Sequence, residues 1–217
     1  MQPHHEFIVI EGNIGAGKSS LAIRISESFQ SRLILEEFED NSFLPKFYDD
    51  PRRFAFPLEM SFLAARFKQL KRDLLTEDLF KPCIVSDYMF AKCLLFSRVN
   101  LDEDEYDLYL KLFDIINLQL RQPDLIIYLH NPIEKLQWNI ANRGRSYEQN
   151  ISNEYLQNLH EAYMNYWHTL SHIPIVIINC SAIDFVNNQN DYDNMLAMIS
   201  KPYTSGIHYI NWLKTDD

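Results

Sequence analysis

Residues Gly12-Asn13-Ile14-Gly15-Ala16-Gly17-Lys18-Ser19 restrict this chain more than any other stretch. They follow an apolar run, Phe7-Ile8-Val9-Ile10, and lead into Ser20-Leu21-Ala22-Ile23-Arg24-Ile25, which has a helical pattern. The pattern G-x-x-x-x-G-K-S therefore stands between strand and helix, the context its chemistry needs. Of the 5 glycines in the chain, three sit here. Lacking Cβ atoms, they let a loop curl until its N–H groups face one oxyanion cluster, and the helix N-terminus adds partial positive charge. Lys18 can reach β- and γ-phosphates, and the Ser19 hydroxyl can ligate Mg²⁺. Gly12 through Ser20 are thus the expected triphosphate cradle; a plain glycine turn is the alternative.

A chain of 217 residues suits one α/β domain, and no repeat or linker-like stretch divides it. The formal net charge of −10 argues against general binding to nucleic acid or anionic membranes. An anionic substrate then needs a local basic cluster. Cys83, Cys93 and Cys180 are odd in number and two flank apolar strands, which fits buried, reduced thiols in a cytoplasmic protein. Met1 to Glu6 lacks the basic start of a signal peptide, and no run approaches transmembrane length.

Strands are expected at Phe7 to Ile10, Arg32 to Leu35, Cys83 to Ser86, Asp124 to Leu129 and Ile175 to Asn179. Glu39-Asp40-Asn41-Ser42 reads as loop, and Phe43 to Tyr48 as an aromatic segment broken at Asp49-Asp50-Pro51. Helical patterns run over Lys18 to Gln30, Phe54 to Leu75 (with Leu58, Phe62 and Ala65 on one stripe), Phe90 to Val99, and Asp102 to Arg121 (with Tyr106, Leu110, Phe113 and Leu120 inward). Others run from Pro132 to Asn142, Ser152 to Leu170 and Tyr192 to Ile199. The tail from Lys201, with Tyr209 and Trp212, takes no assignment. Strands alternating with helices imply a doubly wound, five-stranded parallel sheet with right-handed crossovers.

Ligands of such sheets bind beyond the carboxyl ends of the strands. The glycine loop follows the first strand, Glu36 the second and Asp87 the third. Phosphoryl transfer needs a phosphate cradle, a metal, and a group that orients the nucleophile and takes its proton. Glu36 suits the base, and Asp87 suits Mg²⁺ held through water. Arg143-Gly144-Arg145 follows the fourth strand's helix; two forked cations on a glycine suggest a lid over the transferring group, with a helix C-cap as the alternative.

With these residues in place, the chain resembles the deoxynucleoside kinases, in particular the bacterial deoxyguanosine and deoxyadenosine kinases, over about Phe7 to Ile199. The segments that carry the resemblance are the glycine loop, Glu36 to Asn41, Phe47-Tyr48 before Asp50-Pro51, Glu59 to Gln69, Ser86-Asp87-Tyr88 and Asn142 to Glu148. It implies a P-loop kinase fold with an arginine-bearing lid, ATP as donor with Mg²⁺, and a homodimer; the helices from Phe54 and from Asp102 are candidates for its interface, which periodicity does not assign. It makes Glu36 the base for the sugar 5′-hydroxyl, pairs Tyr48 and Glu148 on the 3′-hydroxyl, gives Arg143 and Arg145 to the lid, and sets Asp184 and Phe185 by the donor adenine. Glu59 stands where the family usually has a base-reading Gln, and Arg66 follows seven residues later. The family's acid-Arg-Ser is here Asp87-Tyr88-Met89. An ionised Glu59 only accepts hydrogen bonds, which suits the N1–H and amine of guanine.

Two other functions compete. A thymidylate-type monophosphate kinase needs further arginines near the acceptor, where Tyr88 stands. A nucleotide-binding protein without turnover is the other; the Asp-x-x-Gly and Asn-Lys-x-Asp signatures of GTPase switches are absent from the sequence.

Overall fold

The computed structural model describes residues 4–37, 41–76, 80–81 and 83–211. The elements in chain order are β1 (Phe7–Gly12), α1 (Lys18–Phe29), β2 (Arg32–Ile34), α2 (Leu44–Asp49), α3 (Pro51–Leu75), β3 (Ile84–Ser86), α4 (Lys92–Asn100) and α5 (Glu103–Asn117). There follow β4 (Leu125–His130), α6 (Ile133–Arg143), a short 3₁₀ turn at Ser146–Glu148, α7 (Asn153–Trp167), β5 (Pro174–Asn179), α8 (Gln189–Ile199) and β6 (Gly206–Ile210).

All strand pairs are parallel, in the order β2-β3-β1-β4-β5-β6. The sheet thus has six strands rather than the five expected, and the sixth lies in the tail that took no assignment. Gly206–Ile210 alternates weakly, and its residues are mostly half-buried, as an edge strand's are. Its pairing with β5 is what makes it a strand; Trp212 lies outside the described residues, as do Glu39 and Asp40 of the loop after β2.

Every residue of β1 is buried, and alternation divides it between two cores. Ile8 and Ile10 join Leu21, Ile25, Leu129, Leu136 and Val176 on one face; Phe7 and Val9 join Leu63, Leu70, Tyr163 and Trp167 on the other. Helices therefore cover both faces, which is why these strands read as unbroken apolar runs. Each such side chain contributes on the order of 1.5–3 kcal/mol by leaving water.

Helix α3 starts at Pro51, earlier than Phe54, because the Asp50 side chain accepts from Arg53 N at 3.4 Å and Pro51 takes the first turn. Pro51, read in the sequence as part of a break, is instead the first residue of the helix, and Pro57 lies inside it. On α3, Leu58 and Phe62 are buried but Ala65 is exposed; Arg66 takes the inward place. Helix α5 opens with the Asp102–Glu105 capping box and stops at Asn117, short of Arg121. Its deepest residues are Tyr109 and Phe113; Tyr106, Leu110 and Leu120 are only half-buried. The aromatic segment Phe43 to Tyr48 folds as α2, which seats Phe47 against Leu58 and Phe62 of α3. The cysteines are free and buried. Among the described residues no helix is long and apolar enough to cross a membrane.

The chain winds to one side of β1 for β2 and β3, then to the other for β4, β5 and β6. A crevice opens at such a reversal, beyond the carboxyl ends of the strands. The register aligns Val9 with Ser86 and Ile34 with Ser86, so the glycine loop, Asp87 and Glu36 emerge side by side.

Candidate active site

The loop between β1 and α1 is held by its glycines and by its neighbours. Gly17 is the N-cap of α1 with φ 89°, and a Cβ there would lie 2.9 Å from Phe185 Cζ. Gly15 has φ 79°, and a Cβ would meet the Leu136 carbonyl oxygen at 2.8 Å. Both positions therefore exclude side chains on backbone and space alike. Asn139 Nδ2 donates to Gly15 O at 2.7 Å, while Asn13 Nδ2 donates to Leu156 O at 2.7 Å and its Oδ1 accepts from Ile14 N at 2.8 Å. Lys18 Nζ donates to Gly12 O and Asn13 O, each at 2.9 Å, curled over the loop that a triphosphate would fill. Burial, with Lys92 nearby, lowers the Lys18 ammonium to about 8 against the pull of Glu11, Glu36 and Asp87.

Asp87 binds the loop to the second carboxylate. Its Oδ2 accepts from the Ser19 hydroxyl and its Oδ1 from Glu36 N at 2.8 Å. Ser19 and Asp87 thus present oxygen donors at the lip of the cradle, the hard ligands that suit Mg²⁺, which keeps several waters and asks few groups of the protein. No cluster of three or more His, Cys, Asp or Glu able to hold a metal occurs among the described residues.

Glu36 is clamped from two helices. Arg66 of α3 donates to Oε1 from Nε at 2.7 Å and lies at 2.6 Å through its second nitrogen; Lys92 of α4 donates to Oε2 at 2.5 Å. Burial alone would raise the Glu36 carboxyl, but Lys92 and Arg66 together hold it well below the usual carboxylate range. It is ionised at any working pH. Arg66, expected among the substrate-binding residues, lines the cavity and joins Glu36 to Cys93, whose Sγ accepts from Arg66 at 3.3 Å.

Arg143 ends α6 and Gly144 is its left-handed C-cap with φ 73°, so the C-cap geometry and the paired arginines coexist. Both arginines turn to the buried Glu148: Arg143 donates to Oε2 and Arg145 to Oε1 at 3.3 Å. Tyr48 stacks on Tyr147 with centroids 5.9 Å apart, and burial raises its hydroxyl above the ordinary tyrosine value. Glu59 lies deeper, 1% exposed; Asn100 Nδ2 donates to its Oε1 at 2.6 Å, and its Oε2 has no hydrogen-bond partner.

One cavity joins these groups. Ser19, Glu36, Asp87, Tyr48, Glu59, Asn100, Glu148 and Tyr155 line it, with Phe47, Phe62 and Phe96 among its apolar walls. Arg143 and Arg145 line it and also line a second cavity, with Lys135, Trp138, Asp184 and Phe185. There Phe185 is buried under Gly17. Asp184 Oδ1 accepts from Val186 N at 3.2 Å and Asn187 N at 3.0 Å, so it shapes its own turn. The two cavities meet where Lys18 and Ser19 sit, which is the geometry of group transfer between two bound molecules.

Three residues of this region escape a reading of the sequence. Lys92 is the single charge in the run from Tyr88 to Ser97, a signal that was available. Asn100 closes α4 and carries no motif. Glu11 is fully buried; its Oε1 accepts from Met89 N at 3.0 Å and its Oε2 from Tyr163 at 2.8 Å. It props the turn before Lys92, and burial raises its carboxyl.

Residues 8–203 match the family model for deoxynucleoside kinase. The chain belongs to the deoxynucleoside kinase family. It is a phosphotransferase that uses nucleoside and nucleotide substrates, as its relatives do. It is 34% identical over 203 residues to a deoxyguanosine kinase of Bacillus subtilis, covering 90% of this chain and 96% of the relative. It is 37% identical over 201 residues to a deoxyadenosine kinase of Dictyostelium discoideum, covering 91% of this chain and 79% of the relative. The structure of deoxyadenosine kinase from M. mycoides with bound dATP superposes with a TM-score of 0.76 at 25% identity, covering 90% of this chain and all of that one.

Proposed function

We propose that this kinase transfers the γ-phosphoryl group of ATP to the 5′-hydroxyl of a purine deoxynucleoside, in nucleotide salvage in the cytoplasm. One observation carries this: one cavity is lined by the loop lysine, by the doubly paired Glu36 and by the buried Glu59, which has an unpartnered oxygen. Its apolar aromatic walls suit an uncharged nucleoside. Relatives named deoxyguanosine and deoxyadenosine kinase support the purine. The buried free thiols fit a reducing compartment.

In this proposal the loop N–H groups and Lys18 hold the phosphates. Ser19 and Asp87 hold Mg²⁺, which when bound neutralises charge on the β- and γ-oxygens. Glu36 accepts a hydrogen bond from the 5′-hydroxyl and aims its oxygen at the phosphorus. Its depressed proton affinity makes it a weak base, which suffices where the transition state is loose and the hydroxyl proton leaves late. Lys92 must give up part of its contact to let the hydroxyl in. Tyr48 and Glu148 take the 3′-hydroxyl, and Arg143 and Arg145 swing from Glu148 toward the phosphoryl group.

Comparison of kcat/KM for the four common deoxynucleosides, their ribose counterparts and dGMP tests the assignment. A purine deoxynucleoside is expected to lead, with the ribonucleoside and the monophosphate each at least about tenfold poorer, the size of a lost or crowded contact. A lead by dGMP would make the enzyme a monophosphate kinase. That outcome is disfavoured because Tyr88 is fully buried, its hydroxyl donating to Gln69 at 2.8 Å, with no cation in its place. ATP binding without any phosphorylated acceptor would leave a protein that only binds nucleotide.

We also propose a homodimer through the outer face of α5, where Leu108, Ile115 and Leu118 are 51%, 65% and 89% exposed. Light scattering is expected to give twice the chain mass for wild type and one chain mass for Leu108→Glu/Ile115→Glu. A wild-type monomer at micromolar concentration overturns it.

A further inference from the structure

The acceptor cavity holds a carboxylate in an unusual state. Glu59 Oε1 is occupied by Asn100 Nδ2 at 2.6 Å, and Oε2 is buried without a partner. A buried acceptor left unpaired costs on the order of 1–3 kcal/mol or more, so the site is built for a ligand that completes it. We propose that Glu59 reads the base through its own proton: the carboxylate takes guanine, the carboxylic acid takes adenine, and pH sets the purine preference. This rests on the assignment of the cavity to a purine deoxynucleoside.

The chemistry of the two bases makes the distinction sharp. Guanine presents N1–H and an amine, both donors, beside the O6 acceptor. A carboxylate oxygen accepts from N1–H, and O6 would compete with the Tyr155 hydroxyl for the second hydrogen on Asn100 Nδ2. Adenine presents an acceptor at N1 beside its amine. An ionised Oε2 facing N1 sets two lone pairs against each other inside a dry pocket; a protonated Oε2 donates to N1 and removes the conflict. Oε1 keeps its bond to Asn100 in both forms.

The surroundings allow both states. From α3 Arg66 faces Glu59, from α4 Lys92 and the Cys93 thiol, from the segment after β2 Glu36, from α2 Tyr48, from α5 Tyr109 and from α7 Tyr155. Both cations are already tied to Glu36, so neither pairs with Glu59. Burial dominates and pushes the Glu59 carboxyl up to about 7, against Arg66, the Asn100 hydrogen bond and Lys92. The two protonation forms therefore coexist near neutrality.

The test is a competition: equal deoxyguanosine and deoxyadenosine with ATP, products separated by chromatography. The product ratio reports the ratio of the two kcat/KM values, so every titration common to both substrates cancels, that of Glu36 included. The dGMP to dAMP ratio is expected to rise about tenfold per pH unit, about a hundredfold between about pH 6 and pH 8, since it follows the ratio of ionised to protonated Glu59. In Glu59→Gln the ratio is expected to be flat, because an amide does not titrate. A wild-type ratio that changes less than about twofold per unit, or a slope that survives in the glutamine variant, overturns the proposal. The wild-type slope decides even where the variant does not fold. Loss of both products at every pH would instead overturn the purine assignment, and this inference with it.

Discussion

Glu36→Gln is expected to lower kcat by about 10²–10⁴ while ATP still binds within about twofold of wild type, the range by which a positioned base accelerates proton transfer. Glutamine fills the same volume and can still touch the 5′-hydroxyl, but its amide cannot take the proton. The same change leaves the buried Arg66 and Lys92 facing an amide instead of the carboxylate they now share at 2.6 and 2.5 Å. Removing one partner from a buried ion pair costs on the order of 3–5 kcal/mol, so the variant also melts earlier. The sign with pH follows from the depressed carboxyl. A folded pKa below the unfolded value adds stability that is fully present above the unfolded value and is lost as pH falls through the folded one. The melting difference between wild type and variant is therefore largest near neutral pH and shrinks in acid below about pH 4. Nucleotide binding by calorimetry separates the two effects: a folded variant that binds ATP and turns over at wild-type speed removes Glu36 from the chemistry.

Arg143→Gln/Arg145→Gln is expected to cost about 10³ or more in kcat, within the range attributed to an arginine that meets transferring phosphoryl charge. Glutamine ends two bonds short of the Nη atoms that now touch Glu148, so the change removes both cations from the site while leaving the cavity walls in place, and kcat is expected to fall by more than the nucleoside KM rises. The reason lies in the present geometry: both guanidinium groups rest on Glu148, and both line the two cavities. A carboxylate that holds both guanidinium groups keeps two cations aligned for the moment negative charge arrives from the donor. Steady-state kinetics on the folded double variant checks this. A kcat within about tenfold of wild type would mean the arginines serve only to brace Glu148.

Much of the architecture was legible because it obeys short-range rules. Unbroken apolar runs announced strands buried on both faces, and the glycine run between strand and helix announced the left-handed turn that opens α1. The missed strand β6 shows the limit: at a sheet edge burial is partial, the pattern weak, and only the neighbour β5 makes the segment a strand. The early start of α3 was hidden by Pro51, read as a break although proline suits the first turn of a helix. At the site, the residues that follow strands were found from their position in the chain, while Lys92 and Asn100 were not, because each acts only through a partner more than 40 residues away, Glu36 and Glu59 respectively.

The amino-acid order by itself determined the sheet's winding, the glycine loop after β1 and which acids stand at the strand ends, since backbone conformation and burial on a regular element depend on near neighbours. Only the tertiary structure decided what those acids are. Glu36 is held ionised because α3 and α4 bring Arg66 and Lys92 to it, and Glu59 is left half-satisfied because α4 ends with Asn100 against it. Charge state is a property of the surrounding dielectric and of the ions within a few ångströms, and both are fixed by packing between distant segments.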